Sequence, residues 1–282
     1  MMPVLWYDDS IRSLATCLAG DHDTMENAEF FRRKLRGSEP CLGTCVTFND
    51  PTVTEALATV LDFVWIDAEH GPLSLEAVQG HVMATRGTQT TPLVRVAWND
   101  PVLIKPVLDL GAAGIIVPLI RTADDARRAV AACRYPPQGI RGYGPRRPAR
   151  YGTSGGPDYC REANESVITI VQIEHAEAVE NLDEILRVEG LTTLVIGSQD
   201  LAASLGHTAE PRHPRVLQAV DTVLGKSRDV GMPVGMALGD RTEIYCQWHA
   251  KGVQWFAIGA DFLLLQRAAA EAASQIRAAA AR

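Results

Sequence analysis

The chain has 282 residues and a formal charge of −7, with 46% hydrophobic and 22% charged side chains, enough to bury a large core in one domain. This acidic balance excludes a surface built to track nucleic acid, which needs a basic stripe, and leaves room for a small anionic substrate in a local pocket. Six cysteines with no CxxC pair and no regular spacing exclude a zinc knuckle and a disulfide framework, and point to a reduced, cytoplasmic setting.

Residues 1–28 contain Trp6, Tyr7 and several acids, and their one short apolar run, Leu14 to Gly20, is preceded by Asp8 and Asp9 rather than by basic residues. They read as a poor secretory signal and as an extension, either a disordered arm or an oligomer contact, ahead of a domain over 29–282. No stretch of the chain approaches the ~18 apolar residues of a membrane helix. Apolar or β-branched runs then recur at Leu42 to Val46, Phe63 to Asp67, Leu93 to Ala97, Gly114 to Pro118, Val167 to Glu174, Thr193 to Gly197, Pro233 to Leu238 and Val253 to Gly259, each predicted to be a strand. Helical patterns fill the intervals at Leu75 to Thr85, Pro101 to Leu110, Ala123 to Cys133, Ala176 to Val188 and Pro214 to Val230. Several carry start signals: Ser74, Asp100-Pro101, and Thr122 ahead of Asp124 and Asp125.

Strand alternating with helix implies parallel pairing, because parallel strands need crossover connections. The fold class is therefore α/β. Asp67 and His70, Glu174, Asp200 and Asp261 all fall at the C-terminal ends of different runs, where barrel enzymes place their sites, which favours a single (β/α)8 TIM barrel. The doubly wound alternative lacks its G-x-G-x-x-G after an early strand. The long interval from Tyr135 to Glu165 is rich in Pro, Gly and Arg; it is predicted to be an active-site cover carrying positive charge, or else a solvated basic loop.

The run "FVWID" ends in "AEHGP", so Asp67 is expected to orient the imidazole of His70 as an acid/base dyad, against the alternative of a structural loop histidine. Glu69 is a further carboxylate near the same tip. In "PLVRVAWND" an apolar strand buries Arg95, whose guanidinium demands a carbonyl or anionic partner, either a substrate or a structural ion pair. In "VITIVQIEHAEA", alternation sets Gln172 and Glu174 on one buried face, where Glu174 must meet a cation, be protonated or bind a metal; His175 turns to the other face. Asp200 opens a helix after the next strand, either as a plain N-cap or as a second carboxylate for a hard divalent cation.

Through "DFVWIDAEHGP", "PLVRVAWNDPVLIKPVLDLGAAGIIVP", "ARRAVAACRYPPQGIRGYGP", "VQIEHAEAVENLDEILRVEGL" and "VIGSQDLAASLG", the chain resembles the HpcH/HpaI aldolase family from about Glu29 to its last helix. The resemblance implies a (β/α)8 barrel whose last helix is exchanged between subunits of a homo-oligomer, commonly a hexamer. It implies a class II aldolase that forms or cleaves a carbon–carbon bond through a metal-bound pyruvate enolate, acting on 4-hydroxy-2-oxo acids to give a 2-oxo acid and an aldehyde. Glu174 and Asp200 would hold Mg²⁺, Mn²⁺ or Co²⁺, with Gln172 beside it. The substrate carboxylate would meet backbone around Gly197, Ser198 and Gln199, Arg95 would stabilise the enolate, His70 oriented by Asp67 would move the proton, and Asp109 would reach a neighbouring subunit's site. An oxaloacetate decarboxylase or a macrophomate-synthase-like enzyme would use the same residues, and a noncatalytic metal- or ligand-binding barrel is the non-enzyme alternative. Family members usually carry G-P-x-D-L where this chain has Gly197-Ser198-Gln199-Asp200-Leu201.

Overall fold

The computed structural model describes residues 24–239 and 242–281. Most of the N-terminal extension, Trp6 and Tyr7 included, lies outside the described residues. Eight parallel strands close into a barrel in sequence order: β1 (Cys41–Val46), β2 (Phe63–Asp67), β3 (Thr91–Arg95), β4 (Gly114–Val117), β5 (Ile168–Ile173), β6 (Thr193–Ile196), β7 (Val234–Leu238) and β8 (Trp255–Ala260). The expected α/β TIM barrel is therefore the fold. β8 pairs with β1 through a register shift between Gly43 and Cys45.

The period-two alternation of the strands divides the apolar side chains into two cores. Val64, Ile66, Val94, Ile115, Val171 and Ile196 point outward under the helices. Phe63, Trp65, Leu93, Ile116, Ile170, Val195 and Trp255 point inward and fill the barrel. Gly235 makes the inner packing feasible, since a Cβ there would lie 2.0 Å from the Trp255 ring.

Helix α1 (Thr24–Arg36) precedes the first strand and seals the barrel at the amino ends of the strands. It inserts Ala28, Phe31 and Leu35 into the inner core, with Phe31 edge-on to Phe63 and Trp255. Asn27 Nδ2 donates to Thr90 C=O at 2.8 Å, and Thr91 Oγ1 donates to Asn27 C=O at 2.7 Å. Asn27 and Ala28, just ahead of the boundary expected at Glu29, thus pack with the barrel.

The outer layer comprises α2 (Thr52–Leu57), α3 (Leu75–Ala84), α4 (Pro101–Asp109), α5 (Ala123–Cys133), α6 (Pro157–Ser166), α7 (Ala176–Glu180), α8 (Leu182–Ile185), α9 (Ser198–Ser204), α10 (Pro214–Asp229) and α11 (Thr242–Ala250), whereas α12 (Asp261–Ala280) is buried only at Asp261 and exposes Leu265 and Ile276. The expected caps form: Ser74 accepts from Ala77 N–H, Asp100 from Val102 N–H, and Thr122 with Asp125 makes a reciprocal capping box. The pattern over Ala176 to Val188 divides at Asn181 into α7 and α8. Among the described residues no helix is long and apolar enough to cross a membrane.

Two readings are corrected by the topology. Tyr135 to Glu165 joins a helix to the strand that follows, so it lies at the amino ends of the strands, opposite Asp67 and Glu174, and does not cover the site formed by this chain. Arg32 donates to Ser166 and Val167 C=O there, and Arg134 to Gly190 C=O. Asp261 is at a strand tip but serves the closure of the barrel: its carboxylate accepts from Thr47 N–H, Thr47 Oγ1 and Phe48 N–H at 2.7–2.9 Å, tying β8 to the exit of β1.

Candidate active site

The β2/β3 register sets Asp67 opposite Arg95, and both side chains point inward at the carboxyl ends of their strands. Arg95 Nε and Nη2 donate to the two oxygens of Asp67 at 2.9 and 2.6 Å. Its Nη1 lies 2.9 Å from Glu69 Oε2, and the guanidinium stands 5.1 Å from the Trp65 ring. The planar fork is thus fixed by two hydrogen bonds to Asp67, an ion pair with Glu69 and the Trp65 ring. Burial alone would raise the Asp67 pKa, but the hydrogen bonds and charge of Arg95, with the N–H groups of Glu69 and His70, outweigh it and hold the carboxyl below its ordinary value.

The expected dyad is arranged differently. Asp67 is committed to Arg95 and touches His70 only at its backbone N–H, 3.4 Å away. The carboxylate near the imidazole is that of Glu69, with 3.7 Å between Oε2 and His70 Nε2. The reason is register: Asp67 ends β2 facing inward, whereas His70 lies beyond the strand on an exposed turn, its side chain 65% accessible. Glu69 is thus the residue that sequence reasoning underweighted, and its pKa is raised by burial, with Arg95 and His70 opposing the rise.

Glu174 follows β5 and is buried. Its Oε1 accepts from Leu119 N–H at 2.7 Å, and its Oε2 accepts from Gln172 Nε2. Leu119 escaped notice because its contribution is backbone: at φ 56° it occupies the left-handed region uncommon for a residue with a Cβ, which turns its N–H toward the carboxylate. Gly197 is required by close approach, since a Cβ there would sit 2.7 Å from both Gln172 Nε2 and Glu174 Oε2. Asp200 lies in the first turn of α9, near enough for its charge to act on Glu174. The N–H groups of Ser198, Gln199 and Asp200 precede the first intrahelical bond of α9, from Leu201 N–H to Gly197 C=O. His175 is occupied elsewhere, capping α7 by accepting from Glu177 N–H.

Glu174 is pushed up to about 7, first by burial and then by the charges of Asp200 and Glu69, against the Leu119 N–H and Arg95. The charge of Arg95 acts on Asp67, Glu69 and Glu174, Asp200 adds a further carboxylate beside Glu69 and Glu174, and Gln172 Oε1 is buried without a hydrogen-bond partner. A site short of positive charge and built from oxygen donors fits a hard divalent cation.

Asp109 stands at the opposite end of the barrel from this constellation. It ends α4 at the amino end of the barrel, where its Oδ1 accepts from Arg141 Nη2 at 2.7 Å. Arg141 in turn stacks on Tyr135 at 4.4 Å.

The barrel with acidic and guanidinium groups at its carboxyl end defines an enzyme of the TIM-barrel class. The chain belongs to the HpcH/HpaI aldolase/citrate lyase family, whose model matches residues 45–268. It is a carbon–carbon lyase of the aldolase type. It is 37% identical over 248 residues to the 4-hydroxy-2-oxo-heptane-1,7-dioate aldolase of Shigella flexneri, covering 87% of this chain and 91% of that one. Among solved structures, an HpcH/HpaI aldolase/citrate lyase family protein from Burkholderia cenocepacia superposes with a TM-score of 0.83 at 35% identity, covering 88% of this chain and 98% of the other. Macrophomate synthase superposes with a TM-score of 0.77 at 27% identity, over 88% of this chain and 89% of that one.

Proposed function

We propose that this chain is a divalent-metal-dependent class II aldolase that cleaves 4-hydroxy-2-oxo acids to a 2-oxo acid, pyruvate in the simplest case, and an aldehyde, or runs the reverse condensation. The observation that carries this reading is the shortfall of positive charge around Glu174 and Asp200, with the unpaired Gln172 Oε1 beside them. Glu174 and Asp200 would hold Mg²⁺, Mn²⁺ or Co²⁺, and Gln172 fixes the Glu174 carboxylate through its amide. The cation would supply Lewis acidity toward the oxygens of the 2-oxo acid.

Arg95 donates to the keto oxygen. Because Asp67 and Glu69 already fix its plane, the donor is in place before charge develops, and it stabilises the enolate more than the ketone. Asp67 is a positioning residue for that guanidinium. His70, exposed at the rim with Glu69 beside it, takes the proton from the 4-hydroxyl in cleavage and returns it in condensation. The backbone of Gly197, Ser198 and Gln199 receives the substrate carboxylate. Asp109 acts at a neighbouring subunit's site within a homo-oligomer, a hexamer in this reading, located in the cytoplasm.

The test is pyruvate release, coupled to lactate dehydrogenase, from a panel of 4-hydroxy-2-oxo acids and from oxaloacetate, with Mg²⁺, Mn²⁺, Co²⁺ or a chelator. Metal-dependent release from the hydroxy-oxo acids is expected. Release from oxaloacetate alone would convert the assignment to a decarboxylase, and no metal-dependent release from any of them would refute it.

A further inference from the structure

The connection from α9 to α10 leaves the carboxyl end of the barrel on the same βα unit as Asp200, and the proposed chemistry uses none of it. It reads "LGHTAEPRH", Leu205 to His213. Two successive turns organise it: Glu210 N–H donates to His207 C=O at 2.9 Å, and His213 N–H donates to Glu210 C=O at 2.9 Å. Each turn brings its first and fourth residues close together, so the two in series gather His207, Glu210 and His213. Ala209, between the first two, adopts φ 64°, a left-handed conformation uncommon for a residue with a Cβ.

The result is a cluster in which one ligand atom each from His207, Glu210 and His213 lie within 4.8 Å of one another. The two imidazoles are stacked, with centroids 3.4 Å apart and planes 15° from parallel. His207 Nε2 is buried and has no hydrogen-bond partner. A ring nitrogen withdrawn from water with nothing to bond is costly, and a cation is a partner that recovers the cost.

We propose that His207, Glu210 and His213 form a second cation site, for a borderline transition metal such as Zn²⁺. Two imidazoles and a carboxylate match the ligand preferences of Zn²⁺, whereas the oxygen donors at Glu174 and Asp200 suit Mg²⁺ or Mn²⁺. The two sites therefore differ in selectivity although one βα connection carries residues of both. Zn–ligand distances of about 2.0–2.2 Å in a tetrahedral site bring the ligand atoms to within roughly 3.5 Å of each other. Loading closes the cluster by a small amount and turns one imidazole out of the stack, because stacked rings direct their lone pairs side by side. His213 Nδ1 accepts from Arg215 N–H at 3.3 Å as the cap of α10, so in its neutral form the ring carries its proton on Nε2. Coordination takes the other tautomer or Nδ1 itself, and in either case that long cap bond is exchanged for a metal bond. The bound ion would clamp the start of α10 to the turn that follows α9, since His207 N–H is itself anchored to Ala202 C=O at 2.8 Å.

The experiment uses the full chain, stripped with a chelator, in excess Mg²⁺ to fill the carboxylate site, and titrates Zn²⁺ against a chromophoric competitor. One tightly held equivalent is expected in the wild type and in Glu174→Gln. In His207→Ala and in Glu210→Gln it should weaken by more than about 100-fold, beyond the cost of losing a mere outer-shell partner. His213→Asn keeps an oxygen to cap α10, so loss of the ion in that variant is separated from loss of the helix. A cobalt-loaded sample should show visible bands of a low-coordinate nitrogen site that vanish in His207→Ala. Three outcomes overturn the proposal: no Zn²⁺ uptake under excess Mg²⁺, uptake unchanged in His207→Ala, or uptake abolished by Glu174→Gln or by replacing the exposed thiol in Cys246→Ser.

Discussion

At the carboxyl ends of the strands, Asp67, Glu69 and Glu174 lie under the charge of Arg95, and Asp200 adds a fourth carboxylate. At the amino ends α1 fills the mouth with Ala28, Phe31 and Leu35, and the buried Arg141 is matched by Asp109. One end carries more negative charge than its own residues neutralise; the other is closed by apolar packing. The contrast separates what folds the barrel from what acts, because a charge imbalance is tolerable only where a ligand repairs it.

The largest effect is expected at the imbalanced end. Glu174→Gln should lower turnover by at least about 10³-fold, the scale of losing a main electrostatic contact to developing charge, while the circular dichroism stays that of the wild type. The same substitution bears on stability with a definite sign. The folded pKa of Glu174, about 7, lies above its ordinary 4.5, so the folded state is penalised above that range and the penalty disappears as pH falls through it. In chelated protein, Glu174→Gln should therefore raise the thermal midpoint at pH 8 and leave it unchanged near pH 4.5. A divalent cation added to the wild type should raise the midpoint at pH 8 as well, in proportion to the logarithm of its concentration.

Arg95→Ala should abolish activity and also destabilise the fold by about 3–5 kcal/mol, because Asp67 and Glu69 are left buried without their counter-ion. Urea denaturation reads this directly; a change within experimental error would mean that the ion pair is solvent-screened and the contrast between the ends is weaker than drawn. The paired amino end is probed by Asp109→Asn, and here the expectation concerns two subunits. Asp109→Asn and Glu174→Gln chains should each be inactive alone and regain partial turnover when refolded together, since a mixed oligomer rebuilds some complete sites. Mixing without recovery would confine Asp109 to its ion pair with Arg141.

Smaller effects test the structural end. Gly235→Ala forces a Cβ against the Trp255 ring and should cost about 1–3 kcal/mol as overpacking, with kcat per folded molecule retained. Thr122→Ala, at the carboxyl end and three residues after Leu119, removes the capping box of α5 and should cost about 1 kcal/mol. If Gly235→Ala altered KM, the independence of the two ends would fail.

The strand pattern was legible because the runs are largely apolar on both faces and several helices begin with a chemical signal. Phe63 to Asp67 and Ala123 to Cys133 have the expected bounds. β3 begins two residues before the apolar run that announced it, because Thr91 and Pro92 carry no hydrophobic signal and are held by pairing with Phe63 and Val64. Glu174 and Arg95 were legible as candidates from the cost of burying a charge in a strand, which is a local argument. The partner of Asp67 was not, since the pairing rests on which residue of β3 stands opposite it. The side of the barrel on which Tyr135 to Glu165 lies was implicit in its order, helix first and strand after, and its arginines drew attention away from that order.

The sequence by itself determined an α/β barrel, its carboxyl-end chemistry and its family, because period, caps and buried charges are properties of short segments. Only the tertiary structure decided that Asp67 serves Arg95 rather than His70, that Leu119 supplies an N–H to Glu174, and that Asp109 stands at the opposite mouth. Those facts depend on strand register and on the direction of each crossover, which bring together residues that no local pattern connects.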